Sequence, residues 1–232
     1  MTEASVLPLH VADVTLPSAE HWPEGKPFPI VAHAVPHRDG VFLFDTGIGT
    51  GNAEVDELFS PERRPLEEML AAHGIAMADV TAVANCHLHS DHSGQNGLFP
   101  GRTIFAQRAE WAMVHEPDYT VPEWIDVPGL SYELLEGETE VGPGLRLVPT
   151  TGHSPGHQSL QVETAEGTVV IAGQAVLTKA EWLGSADPLE SGVPKPEDES
   201  RQAYEDSVGR LRALDPVRVH FVHDPEIWTR TD

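Results

Sequence analysis

Along the chain, apolar positions fall into short blocks that switch between two spacings, one suited to strands and one to helices. The runs "PIVAHAV" and "VFLFD", separated by "RDG", predict two strands joined around Asp39-Gly40, a pair that favours a hairpin turn. From Pro65, "PLEEMLAAHG" sets Leu66, Met69 and Leu70 on one helical face and puts Gly74 where a helix would end. "VTAVANC" predicts a buried strand, and "TIFAQ" a further strand before a short helix containing Trp111 and Met113. Residues 116–132, with Pro117, Pro122, Pro128 and Gly129, predict a long loop that walls a pocket.

The second half returns to strand spacing in "LRLVPT", "HQSLQVET" and "TVVIAG", the last two joined by the turn "AEG". An acidic, Pro-rich segment, 185–200, is expected at the surface. "AYEDSVGRLRAL" then aligns Tyr204, Val208, Leu211 and Leu214 on one helical face, and "VRVHFV" predicts a last strand that delivers His223. No short repeat is visible. Strand-rich halves on either side of the middle predict a mixed α/β (α+β) fold, one domain over residues 1–232, built as a two-sheet sandwich with outer helices.

Composition narrows the partners. With 232 residues the chain can bury a core without staples. Fourteen basic against 37 acidic residues give a net charge of −23, which repels polyanions and argues against nucleic acid. The single cysteine, Cys86, has no internal disulfide partner, and the amino terminus lacks the basic and apolar regions of a signal peptide. No apolar run approaches the roughly 20 residues that span a bilayer. These features predict a cytoplasmic protein with a small-molecule substrate, no membrane contact, and a homodimer as its default assembly.

The stretch "CHLHSDHSGQNG" carries the chemistry, with three histidines and an aspartate within six residues. On an extended strand His87 and His89 project to the same side and chelate one ion, while Cys86 and Leu88 point away into the core. Beyond a turn at Ser90, Asp91 and His92 aim at a second position. Imidazole with carboxylate suits zinc, with manganese, iron and cobalt as alternative ions. Histidines outside the cluster are read as ordinary side chains.

With "HLHSDH" as H-x-H-x-D-H, "FDTGIG", "TTGHSPGHQSL" and "FVHD", nearly the whole chain resembles the metallo-β-lactamase superfamily. The resemblance implies a four-layer αββα sandwich with metals at one edge between the sheets. It implies His87, His89 and His153 as ligands of one ion, and Asp91, His92 and His223 as ligands of a second, with Asp91 also counted as catalytic. Asp45 would orient a ligand histidine, and His157 would be structural. Around 87–111 and 150–182 the chain most resembles the N-acyl homoserine lactone lactonases, which implies a metal-activated water that opens an acylated lactone.

Two positions depart from that branch. Gln174 stands where a metal-bridging aspartate is expected. It either ligates through its oxygen, hydrogen-bonds a metal-bound water, or is a neutral replacement in a one-metal or inactive protein. Without that carboxylate the second ion is expected to bind more weakly and the remaining centre to be a stronger Lewis acid. Leu177 replaces a hydroxyl-donating tyrosine, and no role is assigned to Tyr119, Tyr132 or Tyr204 in its stead. Trp124 is the aromatic residue singled out for an acyl pocket. The expected function is a metal-dependent hydrolase of a small ester-like substrate, an acylated lactone first. A β-lactam or thioester hydrolase, and a non-catalytic metal- or ligand-binding protein, are the alternatives. A mononuclear iron oxygenase needs a carboxylate where Gln174 stands.

Overall fold

Strands that are apolar at almost every position need cover on both faces, and their alternate side chains report which layers supply it. The computed structural model describes residues 4–16, 26–185 and 200–231. One sheet contains β1 (Leu7–Val14), β2 (Phe28–His37), β3 (Gly40–Phe44), β4 (Glu62–Arg63), β5 (Val80–Ala84), β6 (Thr103–Gln107) and β7 (Ser131–Leu135), in the order β4-β1-β2-β3-β5-β6-β7. The other contains β8 (Thr139–Gly142), β9 (Leu145–Pro149), β10 (Gln158–Thr164), β11 (Gly167–Ile171), β12 (Arg218–His220) and β13 (Trp228–Thr229), in the order β13-β12-β11-β10-β9-β8. The helices are α1 (Ala53–Phe59), α2 (Leu66–Ala72), α3 (Ser90–Ser93), α4 (Arg108–Trp111), α5 (Pro122–Ile125), α6 (Lys179–Trp182) and α7 (Ser200–Ala213).

Strand parity sorts the core into layers. From β3, Phe42 and Phe44 join a cluster between the sheets with Leu147, Leu160, Val169 and Ile171. Val41 and Leu43 turn the other way, to Leu66 and Leu70 of α2. In β11, Val169 and Ile171 face the first sheet, while Val170 packs outward with Leu211 of α7, Trp182 and Phe221. Helix, sheet, sheet and helix therefore stack in the predicted αββα order.

Local signals account for many boundaries. The β2–β3 hairpin pairs His37 with Gly40, so its turn is Arg38-Asp39, one residue earlier than expected. Helix α2 ends in a Schellman motif: Gly74 adopts φ +73°, its N–H donates to the Ala71 carbonyl at 2.9 Å, and the Ile75 N–H donates to Leu70 at 3.1 Å.

Other expectations shift. Strand β5 stops at Ala84, leaving His87 and His89 in the loop beyond it rather than on the strand. Helix α4 ends at Trp111, short of Met113, and the stretch 116–132 contains α5 and the start of β7. Strands β1 and β8 and helix α1 were not anticipated, because short half-buried runs lack a clear period. Most of the Pro-rich stretch, 186–199, lies outside the described residues. Among those described, no helix is long and apolar enough to cross a membrane.

Between β2 and β12 two histidines lie buried edge to face, His33 and His220, with ring centroids 5.4 Å apart. Their four ring nitrogens have no hydrogen-bond partner among the described residues. Burial pushes His220 down to about 3, and burial with the neighbouring His220 depresses His33 well below its ordinary range. Because both folded values lie below the unfolded value of about 6.5, their contribution is fully present above that pH. It is lost as pH falls toward the folded values, on the order of 1 kcal/mol per pH unit for each. Urea unfolding at pH 7.5, 6 and 5 is expected to show this slope, and His33→Phe to reduce it. An unchanged slope in the variant would refute the assignment.

Candidate metal centre

The candidate side chains come from separate loops, yet each loop leaves the carboxyl end of a strand. Asp45 follows β3, His87–His92 follow β5, His153 follows β9, Gln174 follows β11 and His223 follows β12. Ligands of open α/β sheets commonly gather at such strand ends. The two sheets are tied there by the Val31 N–H donating to the Val222 carbonyl at 2.8 Å, and by His223 Nδ1 donating to Pro29 O at 2.8 Å.

Two donor groups result. His87 Nε2 lies 2.8 Å from His89 Nδ1 and 3.1 Å from His153 Nε2, and the last two are 3.3 Å apart. Asp91 Oδ2 lies 3.1 Å from His92 Nε2 and 3.8 Å from His223 Nε2, with Gln174 Oε1 3.1 Å from His92 Nε2. All seven predicted site residues are thus brought together. His87 and His89 converge beyond the end of strand pairing, with His89 itself in an extended conformation.

The residues fit a divalent cation on their own terms. Tetrahedral bonds of 2.0–2.1 Å would spread three nitrogens about 3.3 Å apart, close to the separations of the first group. Burial and the surrounding imidazoles hold His87 and His153 well below the ordinary range, leaving neutral rings with free lone pairs. In the second group His223 Nε2 is buried with no hydrogen-bond partner among the described residues. Burial lowers His92, but the Asp91 and Asp45 carboxylates outweigh it and raise its pKa well above normal. The second position therefore attracts positive charge.

Behind these donor side chains stand fixed acceptors. Asp45, held at φ +63°, accepts from the Cys86 N–H at 2.7 Å through Oδ1 and lies 3.0 Å from His92 Nδ1 through Oδ2. Such left-handed strain at a non-glycine residue concentrates at functional sites. His157 is a spacer: its Nδ1 donates to Thr150 O and its Nε2 accepts from the Gln174 N–H, each at 2.8 Å. Cys86 is buried, as expected, but does not point away from the ligands. Its sulfur lies 3.1 Å from His87 Nδ1 and 3.4 Å from His92 Nδ1. Burial, with the Asp45 charge, pushes its thiol up, so it acts as a neutral neighbour rather than a nucleophile.

A cleft of about 520 Å³ opens beside His89, Ser90 and Asp91. One wall is α1, capped by Asn52, whose side chain accepts from the Glu54 and Val55 N–H groups. The other is the stretch Asp118–Glu123, inside the loop predicted to shape a pocket. Trp124 does not enter this cleft; its Nε1 donates to Thr50 O and it borders a separate shallow groove. Leu177 is buried in the core beside Tyr204. Tyr204 donates to Glu181, and Tyr132 accepts from Asn96, so neither hydroxyl reaches the cleft. Tyr119 does line it, with its ring 4.5 Å from that of His89.

The sequence pattern of the Metallo-beta-lactamase superfamily matches residues 25–228. The chain belongs to this superfamily. N-acyl homoserine lactonases of a Bacillus species and of Bacillus cereus are each 32% identical to this metallo-beta-lactamase chain over 215 residues, covering 85% of it and 82% of theirs. A solved N-acyl homoserine lactone hydrolase, with the product N-hexanoyl-L-homoserine bound at its catalytic metal centre, is 26% identical. It superposes with a TM-score of 0.76 over 97% of this chain and 94% of its own. A quorum-quenching N-acyl homoserine lactone lactonase is 27% identical, with a TM-score of 0.78 and the same coverage. Superfamily membership and the two His/Asp clusters together support a divalent metal.

One buried residue in this metallo-beta-lactamase fold escaped the sequence reading. Glu110, beside Trp111 on a four-residue helix, carries no local sign that it faces inward, yet it is 1% exposed and hydrogen-bonded to the loops of His89 and His153. For Asp45 the test is Asp45→Asn, since asparagine tolerates positive φ but cannot accept at both positions. The expected result is a roughly 10- to 100-fold loss of zinc affinity by chelator competition. Unchanged affinity would remove Asp45 from the centre.

Proposed function

We propose that this chain hydrolyses N-acyl homoserine lactones, with His87, His89 and His153 holding one zinc ion and Asp91, His92 and His223 a second. The observation that carries the reading is the convergence of both donor groups at one end of a cleft with an apolar lining of Val55, Leu58, Phe59, Val121 and Pro122. When bound, such cations bring the pKa of water from about 15.7 toward about 7 and stabilise charge developing on a carbonyl oxygen. Zinc is favoured over other divalent ions by a donor set rich in imidazole.

The chain's own residues do the rest. The neutral imidazoles of His87 and His153 supply lone pairs without needing deprotonation, whereas His92, held in its charged form by Asp91, gives up a proton before it can bind a cation. Asp45 accepts from His92 Nδ1, so once His92 is neutral its proton stays on Nδ1 and Nε2 is the nitrogen turned toward Asp91 and Gln174. Asp91 reaches both the second donor group and the cleft, where its carboxylate orients a polar group of the substrate. Helix α1 and Asp118–Glu123 embrace an acyl tail and exclude water from it.

Charge selects among ester-like substrates. The cleft carries Glu54, Asp118 and Glu123, on a chain of net charge −23. A neutral acylated lactone enters that field without penalty, whereas a carboxylate-bearing β-lactam or a phosphate-rich thioester is repelled. The ring-opened carboxylate product is repelled as well, which favours its release.

Ring opening of acyl homoserine lactones, followed by chromatography beside a β-lactam and a thioester, should occur with zinc and disappear on exhaustive chelation. Turnover that survives chelation, or a preference for the β-lactam, would overturn the proposal. Gln174 offers an amide oxygen without charge, so the Asp91–His92–His223 position is the weaker of the two. After dialysis the native protein is expected to retain about one ion per chain and Gln174→Asp about two, by elemental analysis. Equal metal content in the two proteins would defeat this charge argument.

A further inference from the structure

Glu110 is a buried carboxylate whose four partners are all neutral donors. Its Oε1 accepts from the Leu88 N–H at 2.8 Å and from the Tyr119 hydroxyl. Its Oε2 accepts from Ser154 Oγ at 2.6 Å and from the Gly156 N–H at 3.2 Å. Leu88 lies between His87 and His89, Ser154 follows His153, and the Tyr119 ring packs against His89. One side chain therefore grips both loops that carry the first donor group, together with the wall of the cleft.

Only a carboxylate meets this demand. It presents two oxygens and about four lone-pair sites, all acceptors, whereas an amide would turn an NH₂ toward two of the four donors. Leaving such buried donors unpaired is costly. Close approach is built in as well: a Cβ on Gly156 would lie 2.2 Å from the Glu110 nitrogen, so glycine there lets the His153 loop close onto α4.

We infer that Glu110 is a positioning residue of the His87–His89–His153 centre, fixing the two loops so that their three nitrogens converge and supplying a buried negative charge beside three neutral ligands. This inference rests on reading those histidines as metal ligands. It makes the tighter metal position depend on a residue that touches no metal, and couples that position to the cleft wall through Tyr119.

The test compares the full-length native protein with Glu110→Gln and Ser154→Ala, using zinc as the probe. Zinc dissociation constants for the tight and weak positions come from chelator competition, and urea unfolding of the metal-free forms reports stability separately. Glu110→Gln is expected to weaken the tight position roughly 10- to 100-fold and leave the weak one within about twofold. Ser154→Ala, which removes one of the four donors, is expected to weaken it roughly three- to tenfold. Should Glu110→Gln fail to fold, Ser154→Ala decides. Native tight-site affinity in the folded variants, with only the unfolding midpoint lowered, would reduce Glu110 to a structural role and overturn the inference. Failure of the native protein to bind zinc at all would instead overturn the metal reading beneath it.

Discussion

Several imidazoles, buried or half-buried, with their lone pairs aimed at one point form an arrangement that water would otherwise oppose. His87, His89 and His153 bring nitrogens within 3.3 Å of one another, and three neutral rings so placed cannot all satisfy one another by hydrogen bonds. A divalent cation would accept those lone pairs, provided the protein holds each ring from behind. Much of the remaining structure follows from that requirement. Pro29 O holds His223, Asp45 holds His92, and Glu110 holds the Leu88 N–H before His89 and the Ser154 hydroxyl after His153.

The sandwich supplies the stiffness this demands. Each loop starts from a strand whose neighbours on both faces are buried, so its origin is fixed by the core between the sheets and by the outer helices. The hydrogen bond from the Val31 N–H to the Val222 carbonyl then ties the two sheets at the edge where the loops meet. Packing sets the position of each loop, and local hydrogen bonds set the direction of each ring.

Charge is distributed with the same economy. An acidic surface surrounds a centre whose first donor group is entirely neutral and whose second has Asp91 as its sole carboxylate, with Gln174 beside it. Buried anions one layer out, Asp45 and Glu110, answer to backbone and side-chain donors rather than to lysine or arginine. On the proposed reading the two metal positions are consequently unequal, and the cleft beside them favours a neutral substrate with an apolar tail.

The hairpin, the α2 helix with its glycine stop, the TIFAQ strand and the H-x-H-x-D-H cluster were legible in the chain because each is encoded within a few neighbouring residues. The ligand role expected for His153 and His223 came from motif resemblance, since no local spacing links them to positions 87–92. Folding decided the remainder. That β5 ends before His87, that the Cys86 sulfur lies behind the His87 and His92 rings, that Trp124 turns away from the cleft and that Glu110 faces inward all depend on contacts between residues far apart in sequence. Periodicity reports which face of an element is apolar, but a buried carboxylate is recognisable only when the donors that surround it, brought from three separate loops, are in place.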